Sequence, residues 1–260
     1  MSFKTLPSVA AVLALSLAAA CGGSKQEAAP GGPAPGAQKV DVSKAGNVTG
    51  RVLLDGPAPA NAAIKMSADP FCIRANADGS TFETYKVDDG GLENVFVYVK
   101  DGLGNYYFDT PTEPVKLDQK GCHYTPHVFG IQVGQPLEIS NSDDTLHNVH
   151  ALAEKNQEFN YGQAMAGMKN TKTFTVPEVM ITFKCDVHGW MNAYGGVVSH
   201  PYFAVTKDGG KFELKNLPAG TYTVEAWHEK LGTQQQSVTL GEKESKAVTF
   251  TFKAPAASTN

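Results

Sequence analysis

The chain has 260 residues and a formal net charge of -4, so it lacks the strongly basic balance that a nucleic-acid partner calls for. Charged residues make up 18% and hydrophobic residues 42%, which excludes disorder through most of the chain. Its four cysteines, Cys21, Cys72, Cys122 and Cys185, are too few for a disulfide scaffold and wrongly spaced for a zinc ribbon.

Lys4 is the only charge ahead of an apolar run from Val9 to Ala20. That run is shorter than the roughly 20 apolar residues a membrane-spanning helix needs, and it ends in small residues, as a secretory leader does. Leu17-Ala18-Ala19-Ala20 before Cys21 resembles a bacterial lipoprotein cleavage site, although such sites usually carry Leu where Ala18 stands. The resemblance implies that residues 1–20 are removed and that Cys21 carries lipid. The product would then sit in the periplasm or at the cell surface, anchored to a membrane. An ordinary cleaved leader is the alternative, and both place the chain in an oxidising compartment. Residues 21–45 are rich in Gly, Ala and Pro and read as a tether. Residues 254–260 read as a short tail.

Beyond the tether no long helical period occurs. Short alternating or apolar runs appear at 48–54, 95–100, 131–133, 137–140, 173–176, 181–185, 196–199, 212–214, 221–227, 236–240 and 247–252. Turn signals separate them: Asp78-Gly79, Asp89-Gly90-Gly91, Asp101-Gly102 and Asp208-Gly209-Gly210. The pattern predicts an all-β protein built of sandwiches or small barrels. Residues 156–171 are the least regular and are expected to hold a short helix or a long loop.

One stretch concentrates metal-binding side chains. A strand ending at Cys185 is followed at three-residue steps by His188 and Met191, and a second strand carries His147-Asn148-Val149-His150. A thiol, two imidazoles and a thioether make a soft, mixed donor set that suits copper. Zinc fits less well, because structural zinc sites prefer Cys and His alone. His147 and His150 stand an odd number of positions apart, so only one of them can face inward.

These motifs resemble the cupredoxins, above all those of the amicyanin and plastocyanin type. The matching stretch runs from about Pro114 to His200 and includes Thr125-Pro126-His127 onward to Asn141. The resemblance implies a single type 1 copper site with His147, Cys185, His188 and Met191 as ligands. It also implies that Asn148 ties the ligand loop to the first histidine, and it selects His147 over His150. In the family the second histidine reaches the surface within an apolar patch, to which Trp190 would contribute as an electron-transfer contact. The partners implied are redox proteins docking over the His188 end.

In an oxidising compartment the remaining Cys72 and Cys122 are expected to pair. A second metal site using Cys122, His123 and His127 is the alternative. His150, His200 and His228 read as surface or packing histidines.

The segment Thr206 to Ala226, with Leu217-Pro218-Ala219-Gly220 between two strands, resembles the carboxypeptidase regulatory-like domain, a small transthyretin-like sandwich. That domain's early strands resemble Gly46–Gly56 and Leu92–Val99, which precede the cupredoxin stretch. The expected fold is therefore a cupredoxin Greek-key sandwich, residues 111–201, inserted into a split Ig/transthyretin-like sandwich, residues 46–110 plus 202–253. The sandwich carries no identifiable catalytic set and reads as a scaffold. The expected function is one-electron carriage by copper rather than enzymatic turnover; an oxidase or nitrite reductase needs further copper sites, and the seven histidines leave no clear second cluster. Copper sensing, storage or delivery, with Met165 and Met168 as an exposed pair, is one rival. A surface protein without a redox role is the other.

Overall fold

The computed structural model describes residues 36–66 and 69–256. The expected leader, the lipid site at Cys21, the tether up to residue 35 and the last four residues lie outside the described residues.

The first flank supplies β1 (Gly46–Asp55), α1 (Pro70–Ala75), β2 (Val87–Asp88), β3 (Gly91–Leu92) and β4 (Phe96–Asp101). The middle supplies β5 (Val115–Lys120), β6 (His123–Thr125), β7 (Val128–Gln132), β8 (Pro136–Asn141) and β9 (His147–Leu152). It continues with β10 (Phe159–Gln163), β11 (Lys169–Thr173), β12 (Glu178–Lys184) and β13 (Asn192–Val198). The last flank supplies β14 (Phe203–Val205), β15 (Lys211–Leu217), β16 (Gly220–His228), β17 (Gly232–Leu240) and β18 (Ser245–Lys253). The protein is nearly all β, with sandwich-like sheets.

Strand pairing divides these elements by position in the chain. β1 pairs antiparallel with β15, setting Val48 against Leu214, and parallel with β18, setting Val52 beside Phe250. β4 lies between β14 and β16, with β17 beyond. Both of these sheets draw strands from the two flanks, and their inner faces share one core. Val48, Val52, Val97 and Val99 from the first flank meet Leu214, Val224, Phe250 and Phe252 from the last. The middle stretch forms two sheets of its own, ordered β10-β9-β12-β13-β7 and β11-β8-β5-β6. Their core contains Leu117, Ile131, Ile139, Val149, Phe174 and Phe183.

Residue alternation explains the placements. In β12, Ile181 and Phe183 face the core at two-residue steps, and Cys185 continues the same face just past the strand. In β9, His147, Val149 and Ala151 are all fully buried on one face.

Two glycines let the sandwiches meet. Gly130 in β7 and Gly196 in β13 stand opposite each other in the sheet register. The Phe96 ring from β4 lies against both, and Phe203 from β14 adds a second ring at Gly130. A third apolar cluster of Phe96, Tyr98, Val128 and Val198 fills this contact.

Several expectations are corrected. Residues 156–171 hold neither helix nor long loop. They contain β10 and most of β11, whose polar, half-exposed residues carry little apolar alternation for a sequence reading to detect. The strand expected at 173–176 ends at Thr173. Ile64, Met66, Phe71 and Cys72, expected within the flanking sandwich, pack instead into the core of the middle stretch. Phe71 and Cys72 lie on α1, which Asp69 caps by accepting their backbone N–H groups, with Pro70 opening the first turn.

Cys72 and Cys122 form a disulfide between residues 50 positions apart, with Cα atoms 5.6 Å apart. It fastens α1 to the turn between β5 and β6. Closing a loop of this length restricts the unfolded chain. The double variant Cys72→Ala/Cys122→Ala is expected to lose about 2–4 kcal/mol of stability, read as a lower urea midpoint, with a steeper slope because the unfolded chain is no longer cross-linked. Gly196→Ala would place a methyl 2.5 Å from the Phe96 ring. It is expected to cost about 1–3 kcal/mol in the same assay, the range for overpacking.

Candidate metal centre

The site stands where β9 and β12 run side by side. Ala151 pairs with Phe183 and His150 with Lys184, so the inward faces of the two strands coincide. His147 at the start of β9 and Cys185 just beyond β12 therefore converge at one end of the core. The loop from Cys185 to Met191 folds back tightly. Met191 N–H donates to His188 O at 2.9 Å, and Cys185 N–H donates to Met191 O at 3.1 Å. His188 N–H donates to Cys185 Sγ at 3.3 Å. Among the described residues Cys185 is the free cysteine.

One ligand atom from each of His147, Cys185 and His188 lies within 4.8 Å of the others, and all three residues are buried. The two imidazoles present Nδ1 to Nδ1 at 2.9 Å. Their outer nitrogens meet carboxylates. His147 Nε2 lies 3.0 Å from Asp143 Oδ2, and His188 Nε2 lies 3.2 Å from Asp69 Oδ2. A carboxylate oxygen accepts, so each Nε2 is placed to donate to its carboxylate while the two Nδ1 atoms face each other. Burial lowers the pKa of His147, with Asp143 opposing, so this ring is neutral at neutral pH. Burial raises the pKa of Asp69, but the Thr145 hydroxyl and the N–H groups of Phe71 and Cys72 outweigh it and hold the carboxyl below the usual range. Two imidazole nitrogens and a cysteine sulfur, all on buried residues and within reach of one another, make a donor set that fits a soft metal ion.

Met191 is 1% exposed and packs in the core that contains Cys185. Asn148 bridges the two halves of the site. Its Oδ1 accepts from the N–H groups of Asp186 at 2.8 Å and Val187 at 3.3 Å and from the Cys185 thiol at 3.3 Å. Its Nδ2 donates to Asn160 and Asp186. His150 faces the other side, between Glu158 and Asp186. Tyr124 closes the floor by donating to Asn148 O. Burial, with Cys185 and Asp186 nearby, pushes its phenol far above the usual range, so it stays neutral.

The histidine expected at the surface is not there. His188 is 2% exposed, because Asp69 and α1 lie over its outer edge and Cys72 Sγ sits 3.9 Å from Nε2. Trp190 packs against His188 with ring centroids 4.9 Å apart and planes tilted by 35°, and donates its indole N–H to Cys122 O, while remaining partly exposed. The alternative cluster of Cys122, His123 and His127 does not assemble. Cys122 is in the disulfide, His123 bonds Ser80 and Gly121, and His127 pairs with Glu229. His200 and His228 are buried packing residues elsewhere.

Asp69, Asp143 and Tyr124 were not among the sequence candidates. Asp69-Pro70 is a helix-start signal that could have marked α1, but its contact with His188 spans 119 positions.

Neither a family model nor a curated protein matches the chain. Similar solved structures share low identity and overlap. A copper-containing nitrite reductase from Thermus scotoductus SA-01 is 23% identical with a TM-score of 0.31. The match covers 33% of this chain and only 22% of the reductase. A Cu(I) amicyanin variant is 20% identical with a TM-score of 0.29, covering 34% of this chain and 86% of that one. A purple cupredoxin from Nitrosopumilus maritimus is 18% identical with a TM-score of 0.28, covering 32% and 97%.

Asn148→Ala leaves the N–H groups of Asp186 and Val187 without their acceptor. The expected loss is about 1–3 kcal/mol in denaturant unfolding of the metal-free protein.

Proposed function

We propose that this protein binds one copper ion and passes single electrons. The observation that supports the reading is the convergence of His147 Nδ1, His188 Nδ1 and Cys185 Sγ on three buried residues. In this reading His147, Cys185 and His188 are the main ligands and Met191 is the weak fourth. Copper would supply the one-electron couple, with sulfur donors favouring Cu(I) and imidazole accommodating both states.

The chain's own residues then keep the site still. β9 and β12 hold two of the ligands on paired strands. Asn148 prevents the loop from swinging away from His147. A donor set held in this way changes little between oxidation states. With the outer edge of His188 covered, Trp190 becomes the electron route, since it touches the imidazole on one side and solvent on the other. A redox protein would dock weakly over this face. The flanking sandwich, in keeping with its carboxypeptidase regulatory-like motif, serves as a scaffold. A lipid at Cys21 and the tether would keep the body close to a membrane.

Copper delivery or storage is the second reading. It rests on Met165 and Met168, which are 57% and 38% exposed. The enclosed ligand set favours retention of the ion instead.

Addition of Cu(II) to the purified protein is expected to give an intense thiolate-to-copper band in the visible spectrum, lost in Cys185→Ser. No such band in the unsubstituted protein overturns the carrier reading. Rapid bleaching by a chelator transfers support to delivery.

A further inference from the structure

Each imidazole of the site is backed by a carboxylate, and the disulfide stands between the two carboxylates. Asp143 accepts from His147 Nε2 at 3.0 Å and from the backbone N–H groups of Gly121 and Cys122, each at 2.7 Å. Asp69 accepts from His188 Nε2 at 3.2 Å, from the Thr145 hydroxyl at 2.7 Å, and from the N–H groups of Phe71 at 2.7 Å and Cys72 at 3.3 Å. Each half of the disulfide thus lends its own backbone N–H to one carboxylate. With Cys72 and Cys122 bonded, neither carboxylate can leave its ring without moving the other's support. The Asp143 side chain is 4% exposed and that of Asp69 17%.

We propose that Asp69 and Asp143 are positioning residues that orient both rings and whose charges, one buried and one largely enclosed, favour the oxidised state of the site. The inference rests on the copper reading above. Two effects act together. A carboxylate accepting from Nε2–H holds the ring with Nδ1 inward and makes that nitrogen a stronger donor. The charges also sum unequally across the couple. One thiolate and two carboxylates carry three negative charges, which leave -1 with Cu(II) and -2 with Cu(I). In a low-dielectric interior the extra negative charge disfavours reduction. The potential is therefore held lower than the thiolate, two imidazoles and thioether would set alone. The disulfide, distant from any ligand role, becomes the clamp for the pair.

The test is redox titration of the copper-loaded full chain, with the visible spectrum recorded alongside. Asp143→Asn and Asp69→Asn remove the charge while keeping the side-chain size. Each is expected to shift the Cu(I):Cu(II) affinity ratio at least tenfold toward Cu(I), a rise of about 59 mV for a one-electron couple. The thiolate-to-copper band should persist. An unchanged or lower potential with the band intact overturns the inference. Thr145→Val provides a second measurement if an amide variant loses copper. It removes one donor from Asp69 and leaves the charge in place, so the potential is expected to fall; no movement counts against the role of Asp69. Absence of the band in the unsubstituted protein overturns the copper reading instead, and this inference with it.

Discussion

The register of β9 on β12, with Ala151 opposite Phe183, is the constraint on which the site depends. Side chains alternate across a strand, so a slip of one residue on either side would send His147 or Cys185 to the outer face. The register is specified because Val149, Ala151, Ile181 and Phe183 are all buried on the inner face. The hydrophobic residues that stabilise the core therefore also aim the polar ligands. Asn148 adds a direct tie across the same pair of strands, accepting from the loop that carries His188. Packing and ligand geometry are in this sense one interaction.

The second organising fact is that the chain enters and leaves the middle stretch through a shared flanking core. β4 pairs only with strands after residue 200, and β1 joins β15 and β18 from there as well as the short β3, so neither flank completes its sheets by itself. The middle strands must fold between them. Contact between the two bodies uses bare backbone: Gly130 and Gly196 accept the Phe96 ring where any side chain would collide. Placing a glycine platform on β7 and β13 leaves the opposite face of the same sheet free to hold the ligand core.

Enclosure distinguishes this centre from the open arrangement expected of its motifs. The strip from Asp69 to Asn76 covers His188, capped by Asp69 and fastened by Cys72. A buried site with two facing imidazoles and two nearby carboxylates is electrostatically demanding. Rigid supports are needed to maintain such a state, and the disulfide, Asn148 and the buried Tyr124 supply them. The same enclosure shifts the contact with solvent from the imidazole edge to Trp190.

How much of this was legible in the sequence depended on range. Alternation along β1, β12 and β16 declared an all-β chain, because a strand's burial pattern is local and repeats every two residues. The ligand spacing from Cys185 to Met191 was equally local, and the position of Asn148 beside His147 was legible from the motif. β10 and β11 were missed because strands with few buried residues leave no alternation to read. The pairing of Cys72 with Cys122 was inferred from compartment and count, whereas its place beside both histidines was not. Asp69 and Asp143 took their roles from the tertiary structure alone. Nothing near Asp69 in the chain points to His188, since that contact exists only after two separate stretches have folded against each other. The sequence by itself determined the candidate donors and the strands that carry them. Only the tertiary structure decided what covers the donors, which charges face them and which aromatic ring reaches solvent, because those depend on contacts between segments that no local period records.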